Sequence, residues 1–155
     1  MINIKKILYP TDFSPYSNQA YFHAVALAEK HNATLTIMYV YVPGVTPLGN
    51  VTGTADRHYW QDLLEQIRPV DESIPVNHVL VEGDPATEIV RYAHDAAMDL
   101  VVMGTHGRTG LERLLMGSVA EKVLRDSPCS VLVVKLPKGI TVPEKSDVAV
   151  VASPA

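Results

Sequence analysis

The chain alternates short apolar runs, rich in strand-forming residues, with segments in which apolar residues recur at helical spacing. The five apolar runs predict strands, because each is bounded by turn-forming residues. Strands separated by helices must pair in parallel through right-handed crossovers. The pattern therefore predicts an α/β protein with an open, doubly wound sheet whose strands are Ile4–Tyr9, Leu35–Val42, Val76–Val81, Leu100–Met103 and Val131–Val134.

Local signals mark where the intervening helices begin and end. Asn32 follows the first helical segment and suits a left-handed C-cap. Asp84 followed by Pro85 is a strong helix start, because Asp accepts bonds from free amides and proline needs none at the first helical position. A further helix is expected to begin at Ser118. The second helix should end before Pro69, with a buried stripe of Trp60, Leu63, Leu64 and Ile67.

A chain of 155 residues is the size of one compact domain, which we place at residues 1–137. The tail, residues 138–155, is either a loose extension or one extra edge strand around Val148 to Val151. Pro43 to Thr54 is rich in glycine and proline and predicts the longest loop inside the domain.

Charge and cysteine content exclude several classes of function. The net charge is -4 and the basic residues are dispersed, so no nucleic-acid partner is expected. Cys129 is the only cysteine, which excludes an internal disulfide and fits a reducing compartment. No apolar run approaches the roughly 20 residues that cross a bilayer. We therefore expect a cytoplasmic protein with no membrane partner.

The strongest functional signal is a glycine pattern, G-x-x-G-x9-G-S, that starts at Gly104 and ends at Gly117 and Ser118. Glycines allow a backbone to approach an anion closely, and the free amides of a helix start bind phosphate. The structural alternative is a simple turn followed by an N-cap at Ser118, with Glu121 completing a capping box. The spacing differs from that of a Walker A loop, and no dinucleotide fingerprint follows the first strand.

Three segments together resemble the universal stress proteins: Lys5 to Ser14 (KKILYPTDFS), Met103 to Arg108 (MGTHGR) and Leu115 to Glu121 (LMGSVAE). They occur in family order, and the resemblance extends from about Ile4 to Lys135. It implies a strand order of 3-2-1-4-5 and a homodimer. Family members with this glycine pattern bind ATP or a related adenine nucleotide. The resemblance therefore implies that this chain binds ATP or AMP.

The resemblance implies roles for individual residues. Asp12 would face the ribose or a metal ion, Mg²⁺ or Mn²⁺, on the phosphates, although a turn carboxylate satisfied by neighbouring amides is an equal alternative. The backbone at Pro10 and Val40 would frame the adenine, with Met103 and Gly104 near the base and ribose. The phosphates would lie against Gly107, Arg108, Gly117, Ser118 and Val119. The candidate site also includes Thr11, Thr105, His106, Thr109 and Gly110.

We assign no catalytic residue from the sequence. The leading hypothesis is a stress-response binding module that changes its partners with nucleotide occupancy. The alternatives are a slow ATP hydrolase and a dimeric interaction protein with an unoccupied pocket. The dimer is expected to pair through Val131–Val134, unless the tail covers that edge. The remaining histidines show no metal-ligand spacing and are expected at the surface, namely His23, His31, His58, His78 and His94.

Overall fold

The computed structural model describes residues 2–43, 54–105 and 117–135. The predicted loop between Pro43 and Thr54, the loop residues His106 to Gly110 and the tail 138–155 lie outside these ranges. The elements in chain order are β1 (Lys6–Pro10), α1 (Pro15–His31), β2 (Thr34–Tyr41), α2 (Thr54–Glu65), β3 (Val76–Glu82), α3 (Pro85–Asp95), β4 (Leu100–Gly104), α4 (Ser118–Asp126) and β5 (Ser130–Val134).

The five strands form one parallel sheet in the order β3-β2-β1-β4-β5. The predicted α/β class and strand order are confirmed. Between β1 and β4 the order reverses, because the chain first winds outward through β2 and β3 and then returns to β4 on the other side of β1. This reversal is a topological switch point, where ligands of open α/β sheets bind.

Two apolar clusters cover the two faces of the sheet. One cluster packs α1 and α2 against β1 and β2 and contains Tyr9, Tyr39 and Trp60. The other packs α3 and α4 against the opposite face and contains Leu8, Val40 and Met103 among others. Successive strand residues contribute to opposite clusters, as expected for a sheet covered on both sides. Packing on both faces therefore fixes the positions of the strand ends.

The helix boundaries follow from capping chemistry. Ser14 caps α1, its hydroxyl accepting from the amide of Ser17, and Asn32 ends the helix in the left-handed region with φ 51°. Asp84 caps α3 by accepting from the amide of Thr87, with Pro85 at the first helical position. The predictions for Asn32, Asp84 and Pro85 are confirmed.

The predicted stripe on α2 is buried except for Leu63, which is half-buried, and its last member lies beyond the helix. Trp60 and Leu64 are fully buried on α2, and Ile67 follows the end of the helix with its amide bonded to the carbonyl of Leu64. His78 departs from the surface prediction, because it is half-buried and its Nε2 lies 2.8 Å from the carbonyl oxygen of Ile67. His78 is thus held by a contact with Ile67, beyond the end of α2, which the residues around His78 in the sequence do not reveal.

Candidate nucleotide-binding crevice

The ladder between β1 and β4 ends earlier than its neighbours. β1 pairs with β2 from Lys6 to Pro10, but with β4 only at Ile7↔Leu100 and Leu8↔Val101. The amide of Thr11 donates to the carbonyl of Met38 on β2 at 2.8 Å, so by alternation the position of Pro10 faces β4. Proline has no amide to donate there. The carboxyl halves of β1 and β4 are therefore not laddered together at the switch point.

A tight turn after β1 carries Asp12 to this opening. The amide of Phe13 donates to Oγ1 of Thr11 at 3.0 Å, and the amide of Ser14 donates to Oδ1 of Asp12 at 2.9 Å. Asp12 is half-buried. The predicted turn role of its carboxylate is thus present for one oxygen, and that bond fixes the direction in which the carboxylate points.

At the end of β4, Gly104 lies against the first turn of α1. A Cβ at position 104 would lie 2.8 Å from the carbonyl oxygen of Tyr16, closer than real Cβ atoms approach such an atom. Glycine is therefore required here for helix–strand contact, independently of any ligand. Thr105 follows it, buried, with its amide donating to the carbonyl of Val134 at 3.2 Å.

The start of α4 is tied to the same strand end. The amide of Gly117 donates to the carbonyl of Thr105, which places the start of α4 beside the end of β4. The N-cap residue is Gly117, with φ -60° and ψ 163°, and Ser118 is the first helical residue. The alternative prediction of a Ser118 N-cap is therefore wrong. Gly117 has no side chain with which to cap the helix, so within the described part of the chain the first-turn amides of α4 receive no side-chain cap.

A group of hydrogen-bonded, buried hydroxyls joins the end of β1 to the start of α1. The Tyr9 hydroxyl donates to the carbonyl of Ser17 at 2.9 Å, Oγ of Ser17 donates to the carbonyl of Ser14 at 2.9 Å, and Oγ of Ser17 lies 3.2 Å from Oγ1 of Thr11. Burial raises the pKa of the Tyr9 hydroxyl well above its usual value, and the side-chain hydroxyl of Ser17 opposes this shift. Tyr9 and Ser17 were missed from the sequence, because nothing in their local spacing marks them.

The structure brings together most of the predicted site residues that it describes. Pro10 ends β1 and is followed by Thr11 and Asp12, Met103 and Gly104 end β4 and are followed by Thr105, and Gly117 precedes Ser118 and Val119 at the start of α4. Val40 lies on β2 and belongs, with Met103, to the apolar cluster on the α3–α4 face. The predicted His106, Gly107, Arg108, Thr109 and Gly110 lie outside the described residues.

The described residues form neither a metal-binding cluster nor a membrane-spanning helix. Across residues 2–43, 54–105 and 117–135, no three His, Cys, Asp or Glu side chains are grouped so that they could hold a metal ion. Within the same ranges, no helix has the length and apolarity required to traverse a bilayer.

A doubly wound parallel sheet with an unladdered switch point defines the open α/β class, in which ligands bind at the carboxyl ends of the strands. The sequence matches the universal stress protein family over residues 3–135, and the chain belongs to that family. It is 38% identical over 144 residues to Universal stress protein MJ0531 of Methanocaldococcus jannaschii, covering 86% of this chain and 84% of the relative.

Solved structures of the family share the fold. Universal stress protein UspA from Lactobacillus plantarum superposes with a TM-score of 0.69 at 25% identity, covering 85% of this chain and 98% of that one. A universal stress protein solved in complex with cAMP superposes with a TM-score of 0.63 at 26% identity, covering 86% of this chain and 98% of that one. A relative of the same fold and size thus binds an adenine nucleotide.

Proposed function

We propose that this universal stress protein binds an adenine nucleotide, ATP or AMP, in the crevice between β1 and β4, and acts as a nucleotide-dependent regulatory module. The observation that carries the proposal is the start of α4. Among the described residues no side chain caps its first-turn amides, and the Gly117–Thr105 bond holds them beside the end of β4 at the switch point. Free amides and the positive end of the helix dipole attract phosphate.

The other groups around the crevice suit the remaining parts of a nucleotide. Asp12 would accept from the ribose hydroxyls, because an ionised carboxylate accepts strong hydrogen bonds from such donors. Val40 and Met103 would supply apolar contacts to the base, together with the backbone at Pro10. Gly107 and Arg108 would complete the phosphate contacts, with Thr105, His106, Thr109 and Gly110 adjoining. A Mg²⁺ or Mn²⁺ ion on the phosphates would find in Asp12 an oxygen ligand of the hard type it prefers.

The amide contacts of α4 can be tested at Ser118. Ser118→Pro removes one amide donor at the first helical position, where proline is well tolerated, and the extended Gly117 before it is compatible with proline. We expect Ser118→Pro to weaken ATP binding roughly tenfold, as for a lost hydrogen bond to a charged group, with no loss of folding stability. Ser118→Ala is the matched control, because it removes the hydroxyl and keeps the amide.

Calorimetric titration with ATP and AMP measures these affinities, and native mass spectrometry of the purified protein reports any retained nucleotide. A ligand bound only by the native state also raises the thermal midpoint, by several degrees at about 100 times its Kd. If millimolar ATP leaves the midpoint of the wild type unchanged, the nucleotide proposal fails and an interaction protein with an unoccupied pocket is favoured. Equal affinities of Ser118→Pro and wild type would remove α4 from the phosphate site.

The regulatory role is distinguished from catalysis by turnover. Asp12 is the one acidic residue that we place in the crevice, and efficient ATP hydrolysis needs a positioned water and usually a metal ion held by several ligands. We therefore expect hydrolysis slower than roughly 1 s⁻¹, the lower end of ordinary enzyme turnover. Faster release of phosphate by the purified protein with Mg²⁺ would make it an ATPase instead.

A homodimer through β5 is part of the same proposal. β5 is an edge strand of the sheet, and Leu132 at its centre is 36% exposed. Antiparallel or parallel pairing with a second copy would satisfy the edge and cover this apolar side chain.

A further inference from the structure

Phe13 adopts a conformation that a phenylalanine on its own would avoid. Its φ is 62°, in the left-handed region, where a side chain larger than hydrogen crowds the backbone. A bulky residue persists in this region only when its surroundings hold it there. The conformation of Phe13 affects the proposed site, because its neighbours are Asp12 in the crevice and Ser14 at the start of α1.

An aromatic cluster beneath the turn holds the ring. Phe13 is 2% exposed, its ring lies nearly parallel to that of Trp60 with centroids 5.6 Å apart, and its centroid is 4.7 Å from that of Tyr39. Trp60 is fully buried and also contacts Tyr39, at 4.7 Å, and Tyr59, at 5.0 Å. These four rings come from the β1 turn, from β2 and from α2, so Phe13 is fixed by two elements distant in sequence.

The backbone of the turn depends on this anchor. With Phe13 in the left-handed region, the amide of Phe13 reaches Oγ1 of Thr11 and the amide of Ser14 reaches Oδ1 of Asp12. If Phe13 left its pocket, relaxation to an extended or right-handed conformation would rotate the peptide units on both sides of it. The bond from Ser14 to Asp12 would then be lost, and the carboxylate would no longer be aimed by the turn.

We infer that Phe13 and Trp60 are positioning residues, which aim the Asp12 carboxylate at the ribose hydroxyls and thereby give the crevice its preference for ribonucleotides. This inference rests on the proposed nucleotide site. Neither ring needs to touch the ligand, and α2 takes part only by placing Trp60 under the turn.

The experiment compares ATP with 2′,3′-dideoxy-ATP, which lacks both ribose hydroxyls, by calorimetric titration of each variant. The wild type is expected to prefer ATP roughly tenfold, as for a hydrogen bond to a charged group, and Asp12→Ala to lose that preference. Phe13→Gly, which relieves the backbone strain but removes the ring, and Trp60→Leu should lose the preference too. Their affinity for dideoxy-ATP should stay within about threefold of wild type, because phosphate contacts remain.

Two controls separate positioning from general loosening of the fold. Trp60→Phe restores a flat ring under Phe13 and should restore the preference for ATP. Tyr21→Phe alters another buried aromatic residue of the same core, whose hydroxyl has no hydrogen-bond partner among the described residues, and should leave the preference unchanged. Hydrogen exchange at the Ser14 amide gives a readout that needs no ligand, and exchange should accelerate in Trp60→Leu but not in Tyr21→Phe.

The outcomes are distinguishable. Absence of binding of either nucleotide to the wild type overturns the proposed function and, with it, ribose recognition. Wild-type preference for ATP that survives in Phe13→Gly and Trp60→Leu overturns the positioning role while the nucleotide site stands. Unchanged exchange of the Ser14 amide in Trp60→Leu overturns it as well.

Discussion

Position 104 shows how a residue in a predicted ligand motif can have a structural requirement of its own. The carbonyl oxygen of Tyr16 would lie 2.8 Å from a Cβ on Gly104, and backbone atoms cannot swing aside as a flexible side chain would. We expect Gly104→Ala to displace the first turn of α1 and to lower the free energy of unfolding by about 1–3 kcal/mol.

Urea unfolding of the ligand-free protein measures this change. Ser130→Ala is a suitable control, because Ser130 is exposed on the neighbouring β5 and its substitution should stay within about 0.5 kcal/mol of wild type. An unchanged unfolding midpoint in Gly104→Ala would show that α1 can retreat from β4 without cost.

Asp84 gives the protein a pH-dependent helix cap. Its Oδ2 accepts from the hydroxyl of Thr87 at 2.7 Å and from the Thr87 amide at 3.0 Å, and these bonds hold the pKa of the carboxyl below its usual value. A pKa that is lower in the folded state contributes stability above the unfolded value of about 3.9, and this contribution is lost as the pH falls through the folded value.

We therefore expect Asp84→Ala to cost about 1 kcal/mol at pH 7, a difference that shrinks as the pH falls below about 4. Asp84→Asn keeps an acceptor at the cap and removes the titration, so its advantage over Asp84→Ala should not vary with pH. Urea unfolding at a series of pH values between 7 and 2.5 tests both. A wild-type advantage over Asp84→Ala that persisted at the acid end would contradict the assignment.

At the scale of elements, α1 depends on how it stops as much as on how it starts. Asn32 has φ 51° and ψ 49°, and its amide donates to the carbonyls of Ala28 and Glu29. Glycine reaches this conformation without strain, whereas alanine does not. We expect Asn32→Ala to lower the free energy of unfolding by about 1 kcal/mol, and Asn32→Gly to be neutral or stabilising.

Thermal and urea unfolding of the pair check this prediction, since the two variants differ by a single methyl group. Equal stabilities of Asn32→Ala and Asn32→Gly would mean that the helix end can rearrange without using the left-handed region.

Elements were predicted well from sequence where the signal is local. The Asp84–Pro85 helix start and the Asn32 stop depend on neighbouring residues only, and both are confirmed. The sequence places the start of β1 two residues early, at Ile4, because the amides of Lys5 and Lys6 donate to the side chain of Asp99, far away in sequence, and not to a neighbouring strand. No local pattern carries that information.

The candidate site could likewise be predicted only in part from the sequence. The strand ends that meet at the switch point follow from the order of elements and the family resemblance. The early end of the β1–β4 ladder, the contact of Gly104 with Tyr16 and the packing of Phe13 on Trp60 depend on tertiary register. The alternative cap at Ser118 is wrong: Ser118 is the better capping residue by type, but the chain uses Gly117, which has no side chain to cap the first turn.

At the scale of the whole molecule, the sheet has two edges, β3 and β5, and they are not equivalent. Leu132 is an exposed apolar residue of β5, and the other apolar residues of this strand are β-branched valines. Exposed edges of this kind invite pairing with another chain. The tail offers the alternative cover. If the tail covers the β5 edge, a chain ending at Lys138 should associate more strongly than the full chain. If two copies pair through β5, this truncation should cause no such increase.

Leu132→Lys tests the pairing directly, because a charge on an edge strand opposes its burial against a second copy. We expect the variant to dissociate at concentrations where the wild type is dimeric, with the dimer Kd raised at least about tenfold. Leu124→Lys is the matched control, since it introduces the same residue away from the edge, at a position on α4 where Leu124 is 46% exposed. Sedimentation velocity over a range of concentrations measures both. A dimer that tolerates Leu132→Lys, or that Leu124→Lys disrupts equally, would place the contact between copies on a surface other than β5.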